Sequence, residues 1–207
     1  MCALNNSEKI KESIGSFNDF QRVRTQMNKQ RERLQLNTKY SKGGHGRKRK
    51  MQAMEKYRNR EHNFAQTYNH MVSKRVVDFA IKNNAKYINI EDLSSVKKNR
   101  DKKDESQKQN KVLNNWTYYM LAEYITYKAG MNGIEVRKVN PMYTSQTCHC
   151  CGNLEKGQRT SQAEFICKNP DCREYNKVQN ADFNAARNIS MSTDFVKEKK
   201  TKVAQVV

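Results

Sequence analysis

Four cysteines in two knuckle-spaced pairs constrain this chain more than any other feature. Cys148 and Cys151 form a C-x2-C pair within TSQTCHCCG, and Cys167 and Cys172 form a C-x4-C pair within CKNPDC. Tight turns bring the thiolates of each pair together, and a short polar hairpin between the pairs lets four soft ligands close on one tetrahedral zinc. Cys151-Gly152 makes the first turn and Asn169-Pro170-Asp171 the second. Two disulfides are the competing reading. The other cysteines, Cys2 and Cys150, build no framework, and the first residues are polar where a secretory signal would be apolar. Spacing favours Cys151 over its neighbour Cys150 as a ligand and leaves a swap open. The expected Zn²⁺ is structural, and reduced thiols point to a reducing compartment, the cytoplasm.

Ten residues past the last of these cysteines, Asp182 opens ADFNAARNI. A carboxylate beside a zinc knuckle and ahead of a short Ala-rich helix suits a divalent-metal ligand. It suits an N-terminal cap on residues 183–190 equally well. Both roles stand open on spacing alone.

Charge narrows the partners. The 207 residues carry 40 Lys+Arg against 21 Asp+Glu, a formal net charge of +19. Such an excess calls for a polyanion, most simply nucleic acid, with a membrane surface as the weaker alternative. No apolar run approaches the roughly 20 residues that span a bilayer, so no membrane partner is expected. Much of the charge sits at one place. Residues 42–60 hold Lys42, Arg47, Lys48, Arg49, Lys50, Lys56, Arg58 and Arg60 against Glu55 alone, next to a Gly-rich SKGGHG break. Concentration at such a tip favours contact with phosphates over a merely solvated face. His45 and His62 are too isolated to propose as ligands.

The rest of the chain reads as α/β. Residues 1–16 suggest the end of a strand and a turn. Residues 17–82 form a basic helical hairpin, whose second arm carries Met51, Met54, Phe64, Ala65, Tyr68, Met71, Val72, Val76, Phe79 and Ala80 at helical steps. KYINIEDL is the clearest strand, with Glu91 where an α/β fold places active-site carboxylates. Asp92 beside it serves the turn. Residues 94–110 bury almost nothing and read as a mobile lid or a disordered loop. Helix returns over 112–131 through Leu113, Trp116, Met120, Tyr124, Tyr127 and Met131, then a strand over 134–139. The expected divisions are 1–16, 17–82, a core portion 83–143, a zinc ribbon 144–180, a helix 181–190 and a flexible tail 191–207.

Together Glu91 in YINIEDL, the segment NPMYTSQTCHCCG, Arg159 in GQRTSQAEFIC, the knuckle CKNPDC and Asp182 in NADFNAARN resemble the RuvC-like nuclease lobe of transposon-encoded RNA-guided nucleases. The likeness is greatest to the miniature type V CRISPR effectors and covers nearly the whole chain. It implies a partial RNase H-like fold with an inserted four-cysteine zinc ribbon, the target nucleic-acid-binding domain. It implies Mg²⁺-dependent cleavage of DNA, with Glu91 and Asp182 as two of three acidic ligands and Arg159 near the scissile phosphate. It also implies a guide RNA and either a homodimer or a longer effector chain as partners.

One departure dominates. The first acidic residue of such nucleases lies in a G-[IV]-D-x-G motif, and no such motif occurs here. The expectation is a nucleic-acid-binding lobe that is catalytically incomplete alone, with an open sheet edge where a strand is missing. The alternatives are an endonuclease whose missing carboxylate comes from another chain, and a regulatory or structural fragment binding RNA or a parental effector.

Overall fold

A computed structural model describes residues 2–3, 7, 9–39, 45–92 and 116–196. The expected lid at 94–110, the far end of the tail, Leu113 and Lys42 lie outside the described residues. In order, the elements are β1 (Cys2–Ala3), β2 (Lys11–Glu12), α1 (Phe17–Lys39), α2 (His45–Lys82), β3 (Tyr87–Glu91), α3 (Trp116–Met131), β4 (Glu135–Val139), β5 (Glu164–Ile166), β6 (Val178–Asn180) and α4 (Ala181–Met191). The fold is mixed α/β. No described helix is long and apolar enough to cross a membrane.

Helices α1 and α2 pack as an antiparallel arm held by a few specific contacts. Phe20 is buried, with its ring centroid 5.5 Å from that of Phe64 and 4.8 Å from that of Tyr68. Further along, Arg31 meets Glu61 at 3.1 Å. The arm is tied to the chain before it by Tyr68, whose hydroxyl accepts from the Ser16 N–H at 2.8 Å and donates to the Ser16 carbonyl at 3.0 Å. Gly15, at φ +78°, makes that approach, since a Cβ there would lie 3.0 Å from the Tyr68 oxygen.

The lower half of α2 changes partner and lies on α3. Val72, Val77 and Ala80 are buried there with Ile125, Ala129 and Ile134. The expected apolar faces shift accordingly. Met51 and Met71 of α2 are exposed, as are Tyr127 and Met131 of α3, while Asn69 and Ser73 are buried. Polar contacts decide this. Lys128 donates to the His70 carbonyl and the Ser73 hydroxyl, each at 2.7 Å, drawing a polar seam into the helix pair that apolar periodicity does not register.

β3 and β4 are parallel and in register from Tyr87↔Glu135 to Glu91↔Val139, with Ile88 and Val136 packed on the α2–α3 core. The Gly133 turn at φ +68° lets α3 feed directly into β4. Residues after α4 return to the far edge of β4, where the Val196 N–H meets the Lys138 carbonyl at 2.9 Å and the Asn140 N–H meets the Asp194 carbonyl at 3.0 Å. The expected tail is therefore anchored through 194–196. β1 and β2 form a separate two-residue antiparallel pair, so residues 1–16 contain a short return strand beyond the expected strand end and turn.

Candidate metal centre and acidic site

The sulfur atoms of Cys148, Cys151, Cys167 and Cys172 all lie within 4.8 Å of one another. Cys148 and Cys172 are 3.9 Å apart, and Cys151 and Cys167 are 3.7 Å apart. A tetrahedron with metal–sulfur bonds of about 2.3 Å has sulfur–sulfur edges of roughly 3.8 Å. The donor set and its size therefore fit a thiolate-bound zinc. Of the two cysteines that spacing leaves open, Cys151 is the one in the converging set, and Cys150 packs against the cluster.

Local turns build this tetrad. The Gly152 N–H closes on the Cys148 carbonyl at 2.9 Å with Gly152 at φ +71°, and the Cys172 N–H closes on the Asn169 carbonyl at 3.0 Å. β5, just before the second knuckle, and β6, just after it, pair antiparallel and bury Phe165 completely. Gln158, also fully buried, donates to the Asn153 carbonyl at 3.0 Å and accepts from the Lys168 N–H at 3.3 Å, cross-linking the two knuckles through one amide. Burial pushes the Cys148 and Cys167 thiols up, so an uncompensated thiolate is costly there. For Cys151 burial acts in the same direction but is outweighed by the Asn153 N–H and the neighbouring side chains, which bring that thiol down to about 7. A divalent cation bound there would supply the compensation that buried thiolates require.

Helix α4 is bolted onto this module. Its cap is Asn180, whose side-chain oxygen accepts from the N–H groups of Asp182 at 3.1 Å and Phe183 at 3.0 Å. Of the two roles open to Asp182, capping thus falls to Asn180, two residues earlier. Asp182 itself is exposed in the first turn, and its carboxylate meets Arg159 at 3.8 Å. The Arg159 guanidinium is aimed there by bonds to the carbonyls of Gln162 at 2.8 Å and Ser161 at 3.3 Å. Two asparagines invisible as site residues in the sequence then dock the helix. Buried Asn184 accepts from the His149 N–H at 3.0 Å and donates to the Thr147 carbonyl at 2.8 Å. Asn188 donates to the carbonyls of Thr144 and Thr147 at 2.8 and 2.7 Å. Their spacing of four and eight residues from Asn180 is the available signal, but only the fold says which backbone carbonyls they meet.

Glu91 stands at the end of β3, half-buried, and its carboxylate accepts from the Thr144 hydroxyl at 2.6 Å. The Glu91 carbonyl accepts from the Tyr118 hydroxyl, also at 2.6 Å. Burial, followed by the nearby negative charges of Glu91 and Asp92, pushes the Tyr118 phenol up to about 12, so it remains a donor. Thr144 therefore links β3 to the loop that α4 grips through Asn188. Among the described residues, the cysteine tetrad is the one group of three or more His, Cys, Asp or Glu side chains that converges as a metal set. Arg47, Lys48, Arg49, Lys50, Arg58 and Arg60 all lie exposed along the first half of α2, remote in sequence from this module.

This geometry, a knuckle module with a short helix docked beside a strand-end glutamate, defines the class. Residues 118–189 match the family model described as "Cas12f1-like, TNB domain". The chain is a miniature type V effector-like and TnpB-like C-terminal portion. It is 41% identical over 151 residues to the CRISPR-associated endodeoxyribonuclease Cas12f1 of Sulfoacidibacillus thermotolerans, a match covering 73% of this chain and 32% of that protein. It is 37% identical over 99 residues to the TnpB-like protein MJ0751 of Methanocaldococcus jannaschii, covering 48% of this chain and 34% of that protein. A cryo-EM structure of a CRISPR-Cas12f ternary complex superposes with a TM-score of 0.67 at 28% identity, over 88% of this chain and 34% of that one. A Cas12f1–sgRNA–target DNA complex gives 0.64 at 25% identity, over 89% and 45%. The chain thus spans about a third of the length of the curated relatives it matches.

Proposed function

We propose that this chain is the zinc-bearing, nucleic-acid-binding lobe of an RNA-guided DNA endonuclease and that it does not cleave alone. The observation that carries this reading is the joint anchoring of Glu91 and α4 in the loop 144–147. Thr144 holds the glutamate while Asn184 and Asn188 hold the helix bearing Asp182. In this reading the four cysteines hold Zn²⁺ and fix that loop, so the zinc is structural and remote from any reaction step. Glu91 and Asp182 are the residues that would hold Mg²⁺, which when bound supplies Lewis acidity for phosphodiester hydrolysis. Arg159, aimed by two carbonyls and facing Asp182, presents positive charge where phosphate oxygens would approach. The basic face of α2 contributes phosphate contacts that fix register without reading bases. The partners are DNA and a guide RNA, and in a guided enzyme base pairing with the guide supplies sequence choice.

Two carboxylates make a thin cage for a pair of ions, which is why the chain alone is assigned binding without turnover. The test combines a binding titration on labelled single-stranded DNA with a Mg²⁺-dependent cleavage assay on the same strand, using zinc-loaded protein. Binding without cleavage is expected. Cleavage that disappears in both Glu91→Gln and Asp182→Asn would overturn the incompleteness and favour a site completed by another chain.

A further inference from the structure

The α1–α2 arm is closed at two places and open between them. At its base Phe20 packs on Phe64 and Tyr68. Toward its tip the Thr38 hydroxyl lies 3.5 Å from the Met54 sulfur, and the Lys50 ammonium donates to the Asn37 carbonyl at 3.3 Å. Between these contacts lies a cavity of about 240 Å³, lined from α1 by Arg24, Asn28 and Arg31 and from α2 by Arg58, Glu61 and Phe64. Steps of three and four residues put each set on one helix face. The charges inside are only partly matched. Arg31 donates to Glu61 Oε2 at 3.1 Å and to the Asn28 side-chain oxygen at 3.1 Å. The other carboxylate oxygen, Glu61 Oε1, is buried and accepts no hydrogen bond among the described residues. The Arg24 guanidinium is half-buried, 5.7 Å from the centroid of the Phe20 ring. Burial draws Arg24 below its ordinary value, with Arg31 adding to that and Glu61 opposing it, so the three groups lie within electrostatic reach of one another.

Simple ions do not suit this cavity. Glu61 repels an anion, and three guanidinium groups repel a metal cation. A flat neutral group fits, with donors on one edge for the carboxylate and acceptors on another for the arginines. We propose that the cavity takes one unpaired guanine of a single-stranded nucleic acid. The N1–H and 2-amino group of guanine give Glu61 Oε1 the donor it lacks. Its O6 and N7 form the acceptor pair that arginine reads in two parallel bonds, and Phe64 offers a ring for the base to lie against. Adenine has no donor at N1, and the pyrimidines have no N7. Arg58 lines the cavity and is itself exposed on the basic first half of α2, so a strand whose phosphates follow that face brings its bases to the opening. The proposal rests on the reading of the chain as a nucleic-acid-binding lobe, and it adds one base-reading contact to an arm otherwise confined to phosphates.

The probe is a short fluorescein-labelled oligouridine with one central guanosine, titrated against the full, zinc-loaded chain by fluorescence anisotropy. The same strand with a central adenosine or cytidine is the reference, and both the ribose and the deoxyribose forms are used. All strands carry the same charge, so the phosphate term cancels in the comparison. The guanine strand should bind about tenfold more tightly than either reference. A preference in either sugar form supports the site and names the strand it takes. Equal affinities, or a preference for adenine or cytosine, overturn this proposal and leave the lobe's general binding intact. Failure of every strand to bind overturns both readings together. Two base analogues test the contacts on the unaltered chain. N1-methylguanine blocks the donor to Glu61 and 7-deazaguanine removes the N7 acceptor, so each should lose most of the preference, and an unchanged affinity with either overturns the proposal. Glu61→Met removes the acceptor at similar length. A variant that keeps its helicity by circular dichroism and still prefers guanine tenfold overturns it as well.

Discussion

The proposed function gives the molecule two cation sites, and they are built on opposite plans. The cysteine tetrad is closed: four donors converge within 4.8 Å, three of them buried, on turns that their own sequence specifies. The acidic pair is open. Glu91 is half-buried against Thr144, Asp182 is exposed against Arg159, and each leans on a different neighbour. A closed site stabilises the fold that makes it, because the ion is bound only when the turns are formed. An open site leaves the fold nearly indifferent to its occupant and free to act on something else. The two should therefore respond very differently to loss of a ligand.

The largest effect belongs to Cys167→Ser. Structural zinc contributes roughly 10–16 kcal/mol of binding free energy in small zinc modules at neutral pH, and losing one thiolate forfeits much of it. Zinc content by atomic absorption should fall, and β5–β6 should lose protection from hydrogen exchange, while the α1–α2 arm keeps its helicity. Full zinc occupancy in this variant would remove the distinction between a closed and an open site.

Next comes the bolt between the two places. Asn184→Ala strands the His149 N–H, while the Thr147 carbonyl keeps its bond from Asn188, and should cost about 1–3 kcal/mol. Denaturant unfolding of the zinc-loaded chain reads it directly. A cost under about 0.5 kcal/mol would mean that α4 is held by packing and not by this amide, and the shared anchoring of Glu91 and Asp182 would weaken with it.

How far the sequence discloses these features follows the same division. Both knuckles are legible because cysteine spacing and turn residues are local, and the tetrad needed only Cys150 and Cys151 to be told apart. Strands β3 and β4 are legible from alternation. The buried face of α2 is not: Asn69 and Ser73 are buried, with Lys128 of α3 donating to the Ser73 hydroxyl and the His70 carbonyl, while Met71 is exposed. Spacing leaves Asp182 open between cap and metal ligand on a helix over 183–190, whereas α4 starts two residues earlier, at Ala181, and its cap is Asn180. Asn184 and Asn188 are marked only by their four-residue steps from Asn180, and an asparagine in a helix is polar filler until a loop from elsewhere is laid against it.

A smaller effect separates binding from chemistry. Neutralising Lys48, Arg49 and Lys50 together removes three exposed cations from α2. If each meets a phosphate, the slope of log K against log salt on duplex DNA should shrink by up to about 2.7. Glu91→Gln in the same titration should leave the slope unchanged, since its amide oxygen still accepts from Thr144. An unchanged slope in the triple variant would move the nucleic-acid face off the α1–α2 arm.

The smallest effect bears most directly on the open site. Asn180 and Asp182 both stand at the start of α4, and only one of them supports the helix. Asn180→Ala removes an acceptor from two N–H groups and should cost about 1 kcal/mol. Asp182→Asn removes only an exposed carboxylate whose pair with Arg159 is solvent-screened and worth about 0–1 kcal/mol, so its stability should barely move. Paired thermal melts with and without Mg²⁺ decide the matter. If Asp182 is spare to the fold because it serves an ion, any Mg²⁺-dependent rise in Tm should survive in Asn180→Ala and vanish in Asp182→Asn. If Asp182→Asn destabilises as much as Asn180→Ala in the absence of metal, the carboxylate is part of the helix start, and the contrast between the two cation sites loses its open member.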